Sequence, residues 1–403
     1  MRLARSETEA RHAKSKLPRS PRKKTIPRLR YDTSIVSNIS VHTAGGTYVV
    51  RVEPDQLQNL SRHLRKTGLA KGKIFVVTTP EVWALWHKRF LASFPKGDDA
   101  PRVLFLPSGE RYKRLASVEK LADELVQASA RRDSLLVAFG GGVVGDLAGF
   151  LAAIYMRGIP CVQVPTTYLA QIDSSVGGKT GVNLRTGKNL IGSFHQPVTV
   201  LTDPTLLATL PERELRAGII ESIKAAVLGD APFFTWLEKN ADAMRRGDVA
   251  SLTYAIRVSV RIKARIVSAD ERESGQRMLL NLGHTIGHAI EAATQYRVLR
   301  HGEAIAWGMI AAVRLAAARS ALTQRDAERI ERLIHRFGPL PRFSATAQHL
   351  LDLTDADKKN RSRTRNFILP VKIGKAIVVT NVTAEEMLVA IRSLLQTVRE
   401  MGA

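Results

Sequence analysis

The chain has 403 residues, 44% hydrophobic and 24% charged, with a formal net charge of +24 from 61 lysines and arginines against 37 acids. That length supports two domains with large cores, while no apolar run reaches the roughly 18 residues of a membrane-spanning helix. A lone cysteine, Cys161, excludes an intrachain disulfide and fits a reducing, cytoplasmic compartment.

Residues 1–30 read as a disordered basic tail. Lysines and arginines run from Arg2 to Arg30 against only Glu7 and Glu9, prolines stand at 18, 21 and 27, and there is no apolar periodicity. The tail is a solvated extension, a transit peptide weakened by its two acids, or an arm for nucleic acid or anionic membrane. Nucleic acid as the main partner is disfavoured: aromatics are 6% of the chain, and the tail has no Phe or Trp to stack on bases. The positive field also suits a small anionic substrate.

From 31 to 200 the pattern predicts an α/β domain. KIFVVTT (73–79), RVLFLP (102–107), LLVAFG (135–140) and CVQVPTT (161–167) read as strands, and Val118, Leu121, Leu125 and Val126 mark a helix over 117–130. Such alternation implies a mostly parallel sheet with helices on both faces. Cys161, inside IPCVQVP, reads as a buried and inert thiol. Gly140, Gly142 and Gly145 form G-x-G-x-x-G between a strand and a helix, the context in which backbone amides meet a pyrophosphate. No acid falls between Asp146 and Asp173, so the usual ribose-binding carboxylate is missing, and a tight structural turn is the alternative. The stretch 171–194 gathers Lys179, Lys188, Asn183 and Asn189 among five glycines; it is an anion cradle or a solvent loop, and not a Walker A motif.

From 201 to 403 helix formers dominate, with Ile305, Met309 and Val313 at helical spacing. A short β element over 366–379 and a helix over 384–399 close the chain. The segment 279–309 holds His284, His288 and His301. Histidines at i and i+4 put two imidazoles on one helix face, and a third with a carboxylate from elsewhere would complete a metal site. Ordinary helix or capping histidines remain the alternative.

Taken in order, PSGERYK (107–113), GGGVVGDLAGF (140–150), YMRG (155–158), VPTTYLAQIDSSVGGKTGVN (164–183), GKNLIGSFHQP (187–197), GIIESIK (218–224), ADERESGQR (269–277), LNLGHTIGHAIEA (280–292) and HGEAIAWGM (301–309) resemble the 3-dehydroquinate synthase family of sugar-phosphate cyclases. The resemblance runs from about Ser40 to the C-terminus. It implies a Rossmann-like nucleotide-binding domain followed by a mainly α-helical domain for metal and substrate. It also implies a homodimer using NAD and a divalent metal, Zn or Co. The implied reaction turns 3-deoxy-D-arabino-heptulosonate 7-phosphate into 3-dehydroquinate and phosphate: C5 is oxidised, phosphate is eliminated, C5 is reduced, and an aldol step closes the ring.

By the same resemblance, Glu221, His284 and His301 are metal ligands and His288 a proton-transfer residue. Lys263, Arg277 and Asn281 hold the substrate carboxylate and hydroxyls. Lys179, Asn189 and either Lys358 or Lys359 contact phosphate, with Arg157 arriving from a neighbouring subunit. Asp173, Lys224 and Glu273 are polar site residues. Glu110, Lys113, Gly141, Gly142, Asp146, Thr166, Thr167, Lys188, Thr209 and Glu214 lie along NAD. Other readings stay open: Glu273 and Arg277 at i, i+4 fit a plain helix ion pair, and Asp146 fits a helix cap. Thr79 stands where many members carry an acid or amide for the adenosine ribose. Another sugar-phosphate cyclase, or a metal-dependent NAD polyol dehydrogenase, is the alternative function.

Overall fold

Four of the β-rich runs read from the sequence become neighbouring strands of one sheet. The structure, a computed structural model, describes residues 37–66, 68, 72–94, 100–273, 275–361 and 366–401, without the side chains of 355–361. The basic tail lies outside the described residues. The chain begins with β1 (Asn38–Thr43) and β2 (Gly46–Val52), an antiparallel hairpin, then α1 (Leu60–Lys66). There follow β3 (Ile74–Thr78), α2 (Pro80–Leu91), β4 (Arg102–Phe105), α3 (Leu115–Gln127), β5 (Leu135–Gly140), α4 (Gly142–Ile154) and β6 (Cys161–Pro165). A separate hairpin, β7 (Lys179–Val182) with β8 (Ile191–Phe194), precedes β9 (Thr199–Thr202). The seven-stranded sheet has the order β1-β2-β9-β6-β5-β3-β4 and is parallel except for β1.

Side-chain alternation sorts this sheet into two cores. Phe75, Val77, Leu136 and Ala138 face one layer with Leu121 of α3 and Leu147 and Leu151 of α4. Val76, Val137, Phe139, Val162 and Val164 face the other with Leu60 and Leu64 of α1 and Phe90 of α2. All six residues of β5 are buried, as the unbroken LLVAFG run requires of a strand covered on both faces. Cys161 is buried, and desolvation pushes its thiol up to about 12, so it is inert as expected.

Past β9 the chain is mainly helical: α5 (Glu212–Gly229), α6 (Ala231–Arg245), α7 (Val249–Ala269), α8 (His284–Ala293), α9 (His301–Ala318), α10 (Gln324–Arg336) and α11 (Ala347–Arg361). The hairpin of β10 (Phe367–Lys372) and β11 (Lys375–Val379) precedes α12 (Ala384–Glu400). Helix α9 is apolar on nearly every face because it packs against α5, α8, α10 and α12 together. Close approach sets this packing. A Cβ on Gly302 would sit 1.8 Å from the Ala217 carbonyl oxygen, so α9 begins directly against α5. The contacts from 32 to 403 form one unit.

The four expected strands and the 117–130 helix stand within a few residues of their predicted places. The β1–β2 and β7–β8 hairpins and β9 were not anticipated, and the β element over 366–379 is a hairpin.

Candidate active site

The centre of the site is assembled by three helices. Glu221 comes from the middle of α5, His284 is the first residue of α8, and His301 the first of α9. One potential ligand atom from each lies within 4.8 Å of the others. The Glu221 carboxylate is 3% exposed, and neither of its oxygens receives a hydrogen bond. Lys224, one turn on, forms an ion pair with it but is equally buried. Lys224 balances that charge, and the carboxylate keeps lone pairs that no other hydrogen-bond donor among the described residues takes up. The two histidines are prepared differently. Burial first, then the charge of Lys224, pushes His284 well below its ordinary range, leaving it neutral as a ligand must be. Burial is the largest influence on His301 and works against its charge, but the hydrogen bond to Glu291 and the negative charges of Glu291 and Glu221 together raise it.

His288 sits one turn beyond His284, with ring centroids 5.2 Å apart, and 6.0 Å from the ring of His301. Its ligand atom also lies within 4.8 Å of one from Glu291 and one from His301. The i, i+4 pair therefore shares one helix face, as the spacing predicted.

Around this centre lie paired charges. Lys263 of α7 donates to Asp173 Oδ1 at 2.6 Å. Asp173 is in the last turn of the π-helical segment Ala170–Ser174 that packs on α7. Burial opposes the Asp173 charge, yet Lys263 and Lys224 hold its carboxyl well below the usual range. Lys179 pairs with Glu273, and Asn281 Nδ2 donates to the same carboxylate at 3.0 Å. The buried Arg277 donates to the carbonyl oxygens of Glu271 and, at 3.1 Å, Gly177. The helix ion pair between Glu273 and Arg277 does not form. Glu273 sits in a turn with φ 60° and turns to Lys179 instead, because the chain between α7 and α8 is not α-helical there.

On the sheet side, β5 runs into α4 through Gly141. A Cβ on Gly141 would lie 3.0 Å from Thr167 Cγ2, and one on Gly142 3.0 Å from Ser174 Oγ. A side chain at either position would crowd the helix start, where Thr166 donates its amide to Gly140 O at 3.0 Å. Asp146 is not the cap, which is Gly141; it lies a turn further in and accepts from Lys113 at 2.5 Å. Burial raises its carboxyl, with Lys113 working the other way. Lys113 also donates to Asn189 Oδ1 at 2.6 Å, and Asn183 joins Glu110 at 2.8 Å to the Asn189 amide at 2.9 Å. Lys188 Nζ lies 3.9 Å from the centroid of the Tyr296 ring, joining the 183–190 loop to the α8–α9 connection.

Thr209 Oγ1 accepts from Trp86 Nε1 at 3.2 Å, and Glu214 pairs with Arg300 at 2.8 Å. Thr79 caps α2, accepting from Val82 N at 3.3 Å. Arg157 is exposed on a turn with φ 68°. Positions 358 and 359 fall on α11, and their side chains lie outside the described residues.

These groups feel one another. Asp146 senses the charge of Lys263, and Asp173 senses Lys224 and His301. Lys263 thus acts on both Asp146 and Asp173, and Asp173 lies in the field of the Lys224–His301 side of the site.

A family profile described as 3-dehydroquinate synthase N-terminal matches residues 103–217, and one described as 3-dehydroquinate synthase C-terminal matches 218–360. The chain belongs to the 3-dehydroquinate synthase family. It is 49% identical over 331 residues to the 3-dehydroquinate synthase of Solibacter usitatus, covering 80% of this chain and 90% of that protein. The same-named protein of Koribacter versatilis is 42% identical, with 89% and 98% covered. Among solved structures, ValA, the 2-epi-5-epi-valiolone synthase of Streptomyces hygroscopicus subsp. jinggangensis with NAD+ and Zn2+ bound, superposes with a TM-score of 0.78. It is 29% identical and covers 87% of this chain and 97% of its own. A 2-deoxy-scyllo-inosose synthase complexed with carbaglucose-6-phosphate, NAD+ and Co2+ gives 0.78 at 26% identity, covering 88% and 99%.

Within this family fold, sequence reasoning missed Glu291. Its carboxylate is 6% exposed and directed at His301. The available signal was its position, three residues after His288 and seven after His284, which puts all three on one face of α8. The bidentate pair of Arg213 with Glu303, at 2.6 and 2.7 Å, was missed as well; it fastens the start of α9 to α5.

Proposed function

We propose that this synthase-family chain converts 3-deoxy-D-arabino-heptulosonate 7-phosphate to 3-dehydroquinate and phosphate, with catalytic NAD and one divalent cation. The observation that carries the reading is the convergence of Glu221, His284 and His301 beside a set of cationic and amide side chains suited to an anionic sugar acid. Two imidazoles and one carboxylate leave coordination positions open for substrate, and this donor set suits Zn²⁺ or Co²⁺. The buried Glu221 carboxylate converging with His284 and His301 fits a cation, and the Cβ-free backbone at Gly141 and Gly142 fits a pyrophosphate at the start of α4.

When bound, the nicotinamide supplies oxidation and re-reduction at C5, and the cation polarises the oxygens there as a Lewis acid. The chain's own groups do the rest. Lys263, Arg277 and Asn281 hold the carboxylate and hydroxyls, the planar guanidinium suiting the former. Lys179, Asn189 and Lys358 take the phosphate. Asp173 orients Lys263, and Glu273 orients Lys179 and Asn281 through the contacts above. Lys224 balances the charge of Glu221. His288 carries the proton of the reacting hydroxyl. Glu110, Lys113, Asp146, Thr166, Thr167, Lys188, Thr209 and Glu214 form the nucleotide side. Thr79 supplies only a hydroxyl to the ribose, and that hydroxyl already caps α2.

The higher identity to dehydroquinate synthases, 49% and 42%, than to the two other cyclases, 29% and 26%, favours this substrate over theirs. We place the chain in the cytoplasm as a homodimer. The buried lone thiol supports a reducing compartment, and exposed Arg157, with no hydrogen bond or ion pair among the described residues, supports a role at a second copy. No helix among the described residues is long and apolar enough to cross a membrane. The test is turnover of the heptulosonate phosphate with NAD and Co²⁺. Phosphate release without accumulating NADH is expected; NADH formed without phosphate would assign a polyol dehydrogenase instead.

A further inference from the structure

We propose that Glu291 is a positioning residue for the metal centre, fixing the tautomer and direction of His301 so that Nε2 is the ligating nitrogen. This rests on the metal reading above. The two ring nitrogens of His301 face different carboxylates. Nδ1 lies 3.4 Å from Glu291 Oε2, and Nε2 lies 4.0 Å from Glu221 Oε1. A neutral imidazole carries one proton, and the better hydrogen-bond acceptor decides which nitrogen holds it. With the proton on Nδ1, the lone pair of Nε2 points towards Glu221.

Glu291 is suited to this task. It is 6% exposed on α8, and its carboxylate faces the ring of His301 at hydrogen-bond distance. A carboxylate buried so deeply persists only when something pairs with it. The pattern repeats at His284, whose Nδ1 lies 3.2 Å from the carbonyl oxygen of Leu282, leaving Nε2 as its free nitrogen. Each imidazole thus has its outer nitrogen held by a protein acceptor. Glu291 also belongs to the second convergent set, with His288 and His301. The two carboxylates differ in that Glu291 accepts from His301 Nδ1, whereas Glu221 is ion-paired with Lys224 and faces His301 Nε2 at 4.0 Å.

The experiment measures Zn²⁺ and Co²⁺ dissociation constants of the metal-stripped full chain by chelator competition. The wild type is compared with Glu291→Gln, Glu291→Leu and Glu221→Gln, alongside the Tm of each metal-free protein. Loss of such an outer partner typically weakens metal binding by about 10- to 100-fold. We expect Glu291→Gln near the lower end, since the amide still accepts from Nδ1, and Glu291→Leu near the upper end, with a changed Co²⁺ visible spectrum in both. Glu221→Gln should lose the cation altogether. A lowered Tm with unchanged dissociation constants would make Glu291 merely structural and overturn the proposal. Should Glu291→Leu fail to fold, Glu291→Gln alone decides. A wild type that binds no cation, or a Glu221→Gln variant that binds normally, would overturn the metal reading beneath it. Complete loss in Glu291→Gln with retention in Glu221→Gln would make Glu291 a ligand and overturn both.

Discussion

Glu221 and His301 stand on different helices, α5 and α9, yet His301 Nε2 lies 4.0 Å from Glu221 Oε1. The separation is set by packing rather than by either side chain: Gly302 lets the first turn of α9 lie against the Ala217 carbonyl, one turn before Glu221. Gly302→Ala is therefore expected to push the helices apart. Overpacking of this kind costs about 1–3 kcal/mol, and the same movement should weaken Co²⁺ binding. A variant with wild-type Tm and metal affinity would show that the helix contact does not set the site.

His288 is assigned proton transfer and not ligation. His288→Ala should keep one cation per chain while turnover falls by ~10²-fold or more. Metal analysis of the purified variant beside its kcat separates the two roles. Loss of the cation together with activity would put His288 among the ligands, in the set it forms with Glu291 and His301.

Arg157 projects from the strained turn after α4, where both Met156 and Arg157 have positive φ. If it acts at a second copy, Arg157→Ala and His301→Ala proteins, each inactive alone, should regain activity when mixed and refolded together. The mixed dimer then holds one complete site, because an isologous interface offers the same residues in both directions. No recovery, with mixed dimers demonstrated, would place Arg157 in its own subunit's site or outside any.

Far from the site, Glu386 caps α12 and accepts from Arg319 at 2.7 and 2.6 Å and from the Thr383 amide at 2.8 Å. The Arg319 hydrogen bonds first, then the cap, lower its carboxyl from 4.5 to about 2. A depressed carboxylate stabilises the fold above its unfolded value and loses that effect as pH falls through its folded value. Glu386→Gln should therefore lower Tm at pH 7, with the gap narrowing below pH 4.5 and closing near pH 2. A gap independent of pH would mean the carboxylate charge contributes nothing.

Much of this architecture was legible because its signals are local. The unbroken apolar run 135–140 reads as a central strand, and the glycines that follow it mark a turn into a helix, since a parallel strand buried on both faces leaves no other pattern. The His284–His288 spacing likewise fixes a shared helix face. Non-local relationships were not legible. Gly218 before Glu221 and Lys224 after it argue against an ordinary surface glutamate, but its ligand role entered through resemblance to a family, and its meeting with His284 and His301 depends on three helices packing. Glu291 sits within an apolar helical run as one more polar residue, and only the fold places His301 opposite it. The i, i+4 spacing of Glu273 and Arg277 misled because the backbone between α7 and α8 turns through a positive φ at Glu273. The β7–β8 hairpin hid in a glycine-rich stretch because its strands are only four residues each.

Anomalous diffraction at the zinc edge, from crystals of the full chain grown with Zn²⁺ and NAD, tests the central claim most directly. The account predicts a single peak within bonding distance, about 2.0–2.2 Å, of one Glu221 oxygen and of Nε2 on both His284 and His301, with His288 unligated. A peak held by His288, Glu291 and His301, or none near Glu221, would contradict it.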